Sequence, residues 1–197
     1  MSTAIFADNQ IGPSSPAIRI DGGMQFWAGL SYGSASLANY LVLSGRLHIS
    51  PAFIGMAWLV ATAVFVLFGV VLKVGTDRNL LNDPGFKTFR AMWGSLILGA
   101  AVLVAAVITL MIKFQMGANS AFVTAPIALC VYGIGWRMAA VMSRQKWLNA
   151  LSLASFVSAI YLATLAGSPQ QSLAYSLCLI VVAIMPGLVL LLRRTPA

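Results

Sequence analysis

Charged side chains inside apolar segments are the first place to look for chemistry in this sequence, because a charge is costly to place in lipid. Arg137 is the one charged residue well inside such a segment, and it lies beside Trp136 near the segment's end. A planar guanidinium can bind a phosphate or another anion through two donors. An arginine near a helix end can also extend its charge to the membrane surface. Arg137 is therefore a candidate lipid- or anion-binding residue, with surface anchoring as the competing interpretation.

Other groups capable of acid–base or metal chemistry are few. His48 is the only histidine, which excludes a haem held by two histidines of this chain and a multi-histidine metal site. Asp77 and Asp83 flank a turn-like sequence, and there is no glutamate. Spacings typical of phosphate loops, dinucleotide sites and zinc sites do not occur. The sequence predicts no catalytic residue, no metal and no cofactor, and we expect a protein that is not an enzyme.

Composition identifies lipid as the solvent of this chain. Of its 197 residues, 60% are hydrophobic and 8% are charged, and the mean hydropathy is +0.91. Soluble domains usually carry about 25% charged residues. The net charge of +8 comes from basic residues at the ends of apolar segments, so anionic lipids rather than nucleic acid are the expected partners. We expect an integral membrane protein, with a composition typical of small proteins of the bacterial inner membrane.

Five apolar segments are long enough to cross a bilayer, which takes roughly 20 residues. They cover about residues 51–73, 88–113, 120–142, 147–166 and 171–192. These segments predict an all-α, polytopic bundle of five transmembrane helices within residues 49–197. Pro126 and Pro186 should kink the third and fifth helices, because each proline removes a backbone donor.

The N-terminal part has a different pattern. Residues 1–23 are polar and rich in Gly, Pro and Ser, which predicts a loosely ordered tail. Residues 24–44 are uncharged but contain Gln25, Asn39 and four serines, and their larger apolar residues fall on one helical face. This pattern predicts an amphipathic helix lying in the membrane interface over residues 24–48. A sixth transmembrane span is the alternative.

The charge of the loops predicts the orientation, because basic residues favour the cytoplasmic side. Nine basic residues lie on one side of the five spans and three on the other. The nine therefore mark the cytoplasm, so the C-terminus is cytoplasmic and the N-terminus lies outside; a sixth span would move the N-terminus inside. The nine are Lys73, Arg78, Lys87, Arg90, Arg137, Arg144, Lys146, Arg193 and Arg194, and the three are Arg19, Arg46 and Lys113.

Small residues recur every four positions in the fourth segment. Such spacing lets two helices approach closely, and serines can bond across the contact. We expect a helix-contact stripe that serves either packing within the chain or an interface with another subunit. One row is Ser155, Ala159, Ala163 and Gly167, and the second is Ala150, Ala154 and Ser158. Shorter pairs in the second segment are Ser95 with Gly99 and Ala101 with Ala105.

Few interior polar groups and several small-residue rows favour a function carried by helix contacts. We expect an accessory, assembly or regulatory component that binds a membrane-protein partner or a second copy of itself. The alternative is a small carrier or channel for a neutral or anionic solute. Its candidate residues are Arg137 and the hydroxyls of Thr124, Tyr132, Ser155, Ser158 and Tyr175.

Overall fold

The computed structural model describes residues 22–50, 52–75, 82, 84–113 and 123–193, and the regular structure in these ranges is helical. Five segments are long and apolar enough to cross a membrane, which confirms the predicted integral membrane bundle. The helices are α1 (Gly23–Leu43), α2 (Ala52–Gly75), α3 (Pro84–Lys113), α4 (Thr124–Ser143) and α5 (Trp147–Thr164). The last span, Pro169–Leu192, comprises α6 (Pro169–Leu179), a π-helical turn (Ile180–Ile184) and α7 (Met185–Leu192).

The two prolines predicted to kink helices have different effects. Pro126 is the third residue of α4, which begins at Thr124 and continues unbroken to Ser143. The N–H that proline lacks would have no helical partner in a first turn, so Pro126 interrupts nothing. Pro186 follows the π-helical turn of the last span and does coincide with a break in the α-helix. The turn-like segment around Asp77 and Asp83 lies outside the described residues.

The bundle has two packing groups that meet at the last span. α1 lies between α2 and the last span and packs against both, while α5 packs most extensively against α4. Large side chains of α4 fill the space between α4 and the last span. One apolar cluster contains Phe89, Trp93, Trp136, Leu148 and Leu190, and a second contains Leu129, Ala159, Leu162, Tyr175, Leu179 and Val182.

α2 and α3 expose most of their apolar side chains, as lipid-facing helices do. Leu59 of α2 is 72% exposed and Leu98 of α3 is 67% exposed. The buried residues of α3 whose side chains are described lie in its first ten positions, ending at Trp93. From residue 94 to residue 110 the described side chains of α3 are exposed or only partly buried. α3 therefore packs on α4 near one end and then leaves the bundle.

α1 runs antiparallel to the last span over nearly the whole length of both. The five segments long and apolar enough to cross a membrane do not include α1, so the interfacial position of residues 24–48 and its alternative, a sixth span, both stay predictions. The contacts follow in order, with Gly22 against Leu190, Gly29 against Ala183, Gly33 against Leu179 and Ser36 bonded to Ser172.

Candidate functional site

Arg137 lies on the exposed side of α4 rather than inside the bundle. Its guanidinium Nη1 donates a hydrogen bond of 2.5 Å to the side-chain oxygen of Asn149, in the first turn of α5. This bond ties α4 to α5 close to the short turn that joins them. The four aspartates of the chain lie outside the described residues, so the structure shows no carboxylate beside this arginine. Asn149 was missed as its partner because the two residues are 12 positions apart on different helices.

The predicted small-residue rows of α5 are only partly buried. Ser155 and Ala159 lie in the core, whereas Ala163 and Gly167 are exposed. In the second row, Ala150 is exposed and Ala154 and Ser158 are half-buried. An α-helix turns about 100° per residue, so each step of four moves a row about 40° around the helix. The buried face instead alternates steps of four and three, through Leu148, Ser152, Ser155, Ala159 and Leu162.

Two glycines let α4 approach helices on both of its sides. A methyl group on Gly133 would lie 2.7 Å from the ring of Phe156 in α5, and one on Gly135 would lie 2.5 Å from the ring of Trp93 in α3. Ser152 donates a 2.7 Å hydrogen bond to the Gly133 carbonyl, which adds a polar link at the same contact. The Gly-Ile-Gly sequence thus serves helix packing, as expected from small residues in lipid.

Three hydrogen bonds join α1 to the last span. Ser36 donates to the Ser172 carbonyl at 2.8 Å, and Ser176 donates to the Gly33 carbonyl at 2.9 Å. Asn39 donates to the Ser172 hydroxyl at 3.0 Å. Ser36 and Asn39 of α1 therefore bond to another helix. Hydrogen bonds of this kind hold helices together where lipid provides no competing partner.

Gly187 lies in close contact with the backbone of α1 along this seam. A methyl group there would lie 2.6 Å from the backbone nitrogen of Phe26 and 2.8 Å from the carbonyl oxygen of Gly22. Gly29, further along α1, also allows close helix approach, because an added methyl there would lie 2.8 Å from the Ala183 side chain. The signal in the sequence was the spacing of Gly22, Gly29, Gly33 and Ser36, which places all four on one helical face.

A π-helical turn and an indole meet at the centre of the last span. Trp136 is fully buried and donates a 2.8 Å hydrogen bond from Nε1 to the Val182 carbonyl. In an α-helix this carbonyl would accept from the N–H of residue 186, which is a proline and has none. Tryptophans of membrane helices usually lie at the interface, and Trp136 is in the second half of α4. Its indole instead supplies an interior donor at a position where the proline lacks one.

Three tyrosine side chains converge between α1, α4 and the last span. Tyr32, Tyr132 and Cys178 pack against the apolar cluster that contains Tyr175. Tyr175 is buried, while Tyr32 and Tyr132 are half-buried. Aromatic rings surround them, because Tyr32 packs on Trp58 of α2 and Tyr132 packs on Trp93 of α3. Tyr132 and Tyr175 were among the hydroxyls considered for a transport path, and the structure does bring them together.

α1 also contains buried polar atoms that have no hydrogen-bond partner among the described residues. The Gln25 side-chain oxygen and the Ser31 hydroxyl are buried without a hydrogen-bond partner among the described residues. Gln25 is only 4% exposed. Buried polar atoms without partners are uncommon in folded proteins, and they are costly in a low-dielectric interior. α1 thus places several polar side chains inside a bundle whose interior is mostly apolar.

Comparison of the chain with family models, with curated proteins and with solved structures found no match, so the assignment of function depends on the residues and contacts described above.

Proposed function

We propose that this protein is a non-enzymatic membrane component that acts by binding a transmembrane helix of a partner. The observation that supports this most directly is the α3 arm, residues 94–110, which extends away from the rest of the described bundle. A transmembrane helix with most of its length uncovered can be solvated by lipid. It can also accept a second helix along either side.

Small residues on the α3 arm favour a second helix. Gly94 and Gly99 have no atom within 4 Å of an added methyl group, and Ser95 is also exposed. Small residues allow a neighbouring backbone to approach closely, and that approach gains packing contacts which flexible lipid tails provide less well. The paired positions are Ser95 with Gly99 and Ala101 with Ala105, all of them exposed.

The alternative function of a carrier or channel for an anionic solute receives less support. That function would use Arg137 within an interior path, but Arg137 is exposed and bonded to Asn149. Its position near the end of α4 suits an interaction with lipid headgroups at the surface. The contact-based function therefore remains the proposal.

Photo-cross-linking in native membranes tests this proposal. A benzophenone maleimide is attached to Gly99→Cys in a chain whose Cys130 and Cys178 are replaced by Ser. Illumination should give a protein adduct, at twice the chain mass for a second copy or at another mass for a different partner. Gly69→Cys on α2 is the matched control, because Gly69 also has open space around it. Adducts confined to lipid, or equal for the two positions, would contradict a partner at the α3 arm.

We also propose an orientation in which α1 is a sixth crossing of a bacterial inner membrane. Both termini then lie in the cytoplasm, whereas the five-span prediction placed the N-terminus outside. The antiparallel packing of α1 on the last span supports this orientation. The sixth crossing also moves Arg19 to the basic side, which leaves only Arg46 and Lys113 on the opposite side.

A further inference from the structure

The tyrosine cluster of Tyr32, Tyr132 and Tyr175 lies at an unusual depth for side chains that carry a hydroxyl. Tyr132 is the ninth of the twenty residues of α4, and Tyr32 is the tenth of the twenty-one of α1. The cluster therefore lies near mid-depth in the membrane. Tyrosines of membrane proteins usually collect at the two interfaces, where the hydroxyl reaches water or headgroups. A phenol held far from both interfaces needs another partner for its hydroxyl.

Hydrogen-bonding capacity in the cluster is unused within the described part of the chain. None of the structure's hydrogen bonds there involves the hydroxyl of Tyr32, Tyr132 or Tyr175. The indole Nε1 of Trp93, which packs on Tyr132 at a ring distance of 6.2 Å, is buried and also has no partner there. The cluster therefore combines three hydroxyls that make no hydrogen bond among the described residues with one buried indole donor that lacks a partner there, and for the buried donor an unmade hydrogen bond is costly.

The surroundings of the cluster define the chemistry of a ligand. The cluster that contains Tyr175 consists of apolar and aromatic side chains together with Cys178. Aromatic rings provide flat apolar surfaces on two sides, from Trp58 and Phe65 of α2 next to Tyr32 and from Trp93 of α3 next to Tyr132. An uncharged flat ring with hydrogen-bond-accepting oxygens would match both the donors and the surfaces.

A route from the bilayer to the cluster follows from the helix packing. α2 packs mainly on α1 and α3 mainly on α4, and these two outer helices do not pack extensively on each other. α3 also leaves α4 after Trp93, so Ala125 and Ala128 of α4 remain half-exposed. We propose that Tyr32, Tyr132 and Tyr175 bind the carbonyl oxygens of a lipid-soluble quinone that enters laterally between α2 and α3. This site is independent of the partner proposed for the α3 arm.

Binding of a benzoquinone with a decyl chain to the full-length protein in detergent tests the proposal. The melting temperature of the parent should rise with quinone concentration and reach a plateau, because a ligand bound to the folded state stabilises it. Decylbenzene, which lacks the carbonyl oxygens, should give no saturable rise. A rise that is absent, unsaturable, or equal for decylbenzene overturns the site.

Tyrosine-to-phenylalanine variants locate the binding. Tyr132→Phe and Tyr175→Phe keep the rings and remove hydroxyls that make no hydrogen bond among the described residues, so both variants should fold like the parent without quinone. Each should weaken quinone binding about 3- to 10-fold, the effect of one lost hydrogen bond. Tyr161→Phe is the matched control, since Tyr161 is exposed on α5. Equal affinity in all three variants would overturn the assignment to this cluster.

Discussion

At the scale of single residues, the indole of Trp136 replaces a backbone donor that Pro186 lacks. The Val182 carbonyl accepts from Trp136 Nε1 at 2.8 Å in a fully buried position. A buried carbonyl deprived of its donor loses the bond and keeps the desolvation cost. The proline and the tryptophan should therefore affect stability together and not separately.

Trp136→Phe should lower the free energy of unfolding by about 1–3 kcal/mol, through the unsatisfied carbonyl and the smaller ring. In a Pro186→Ala background the loss should be smaller, because the N–H of residue 186 can then bond to the Val182 carbonyl. The two single variants and the double variant, compared by unfolding in detergent, give the coupling energy. An equal loss in both backgrounds would show that Pro186 and Trp136 act independently.

The guanidinium of Arg137 makes a hydrogen bond to the side chain of Asn149. The observed contact uses a single donor of the guanidinium, and a lysine offers a charge and a donor at the same depth. Arg137→Lys should therefore change the free energy of unfolding by less than about 0.5 kcal/mol. The Lys variant should also retain the anionic lipids that purify with the parent, as measured by mass spectrometry of the extract. A large loss of those lipids would indicate that Arg137 binds a phosphate through its planar fork.

At the scale of elements, the seam between α1 and the last span depends on close backbone approach. Gly187 permits this approach, because an added methyl group would lie 2.6 Å from the Phe26 backbone nitrogen. Backbone atoms cannot move aside as a flexible side chain can. The seam should therefore be among the least tolerant parts of the bundle to added volume.

Gly187→Ala should lower the free energy of unfolding by about 1–3 kcal/mol, the usual cost of overpacking. Gly94→Ala on α3 provides the control, since the added methyl would meet no atom within 4 Å. Alanine also has the higher helix propensity, so Gly94→Ala should be neutral or slightly stabilising. Thermal unfolding of both variants in the same detergent makes the comparison. Similar melting temperatures would argue against a tight seam.

The sequence predicted the elements unequally, for physical reasons. The five spans were predictable because uninterrupted apolar runs without charge have few stable locations outside a bilayer. α1 was assigned to the interface because its polar residues suggested contact with water. The bonds of Ser36 and Asn39 to the last span were not predicted, because a partner more than 130 residues away leaves no local pattern in the sequence. The two small-residue rows of α5 were identified from the sequence. A strict spacing of four residues ignores the rotation of the row around the helix, and this rotation determines which part of each row is buried.

At the scale of the whole molecule, the packing of α1 determines the predicted topology. If α1 crosses the membrane beside the last span, the two termini lie on the same side. The excess of basic residues in the loops assigns that side to the cytoplasm. The proposed orientation thus rests on the loop charges, and the proposed sixth crossing rests on the packing of α1 against the last span.

Labelling from outside the cell measures this topology. Thr3→Cys should resist a membrane-impermeant maleimide in intact cells and react after permeabilisation, in a chain whose native cysteines are replaced by Ser. Gly45→Cys, in the turn after α1, should react in intact cells. A reporter fused at Ala197 should be active only as a cytoplasmic fusion. Labelling of Thr3→Cys in intact cells would restore the interfacial position of residues 24–48.

The pairing of the first helix with the last also bears on how the chain is made. Its three bonds join residues 133 to 143 positions apart, so α1 enters the membrane long before its partner leaves the ribosome. Until then the side chains of Ser36 and Asn39 and the carbonyl of Gly33 lack the hydrogen-bond partners that the last span provides. A chain cut short before Pro169 would keep four complete apolar spans and still leave this face open. A chain that lacks the last span therefore lacks these three bonds, and a membrane protease or insertion factor can detect this difference.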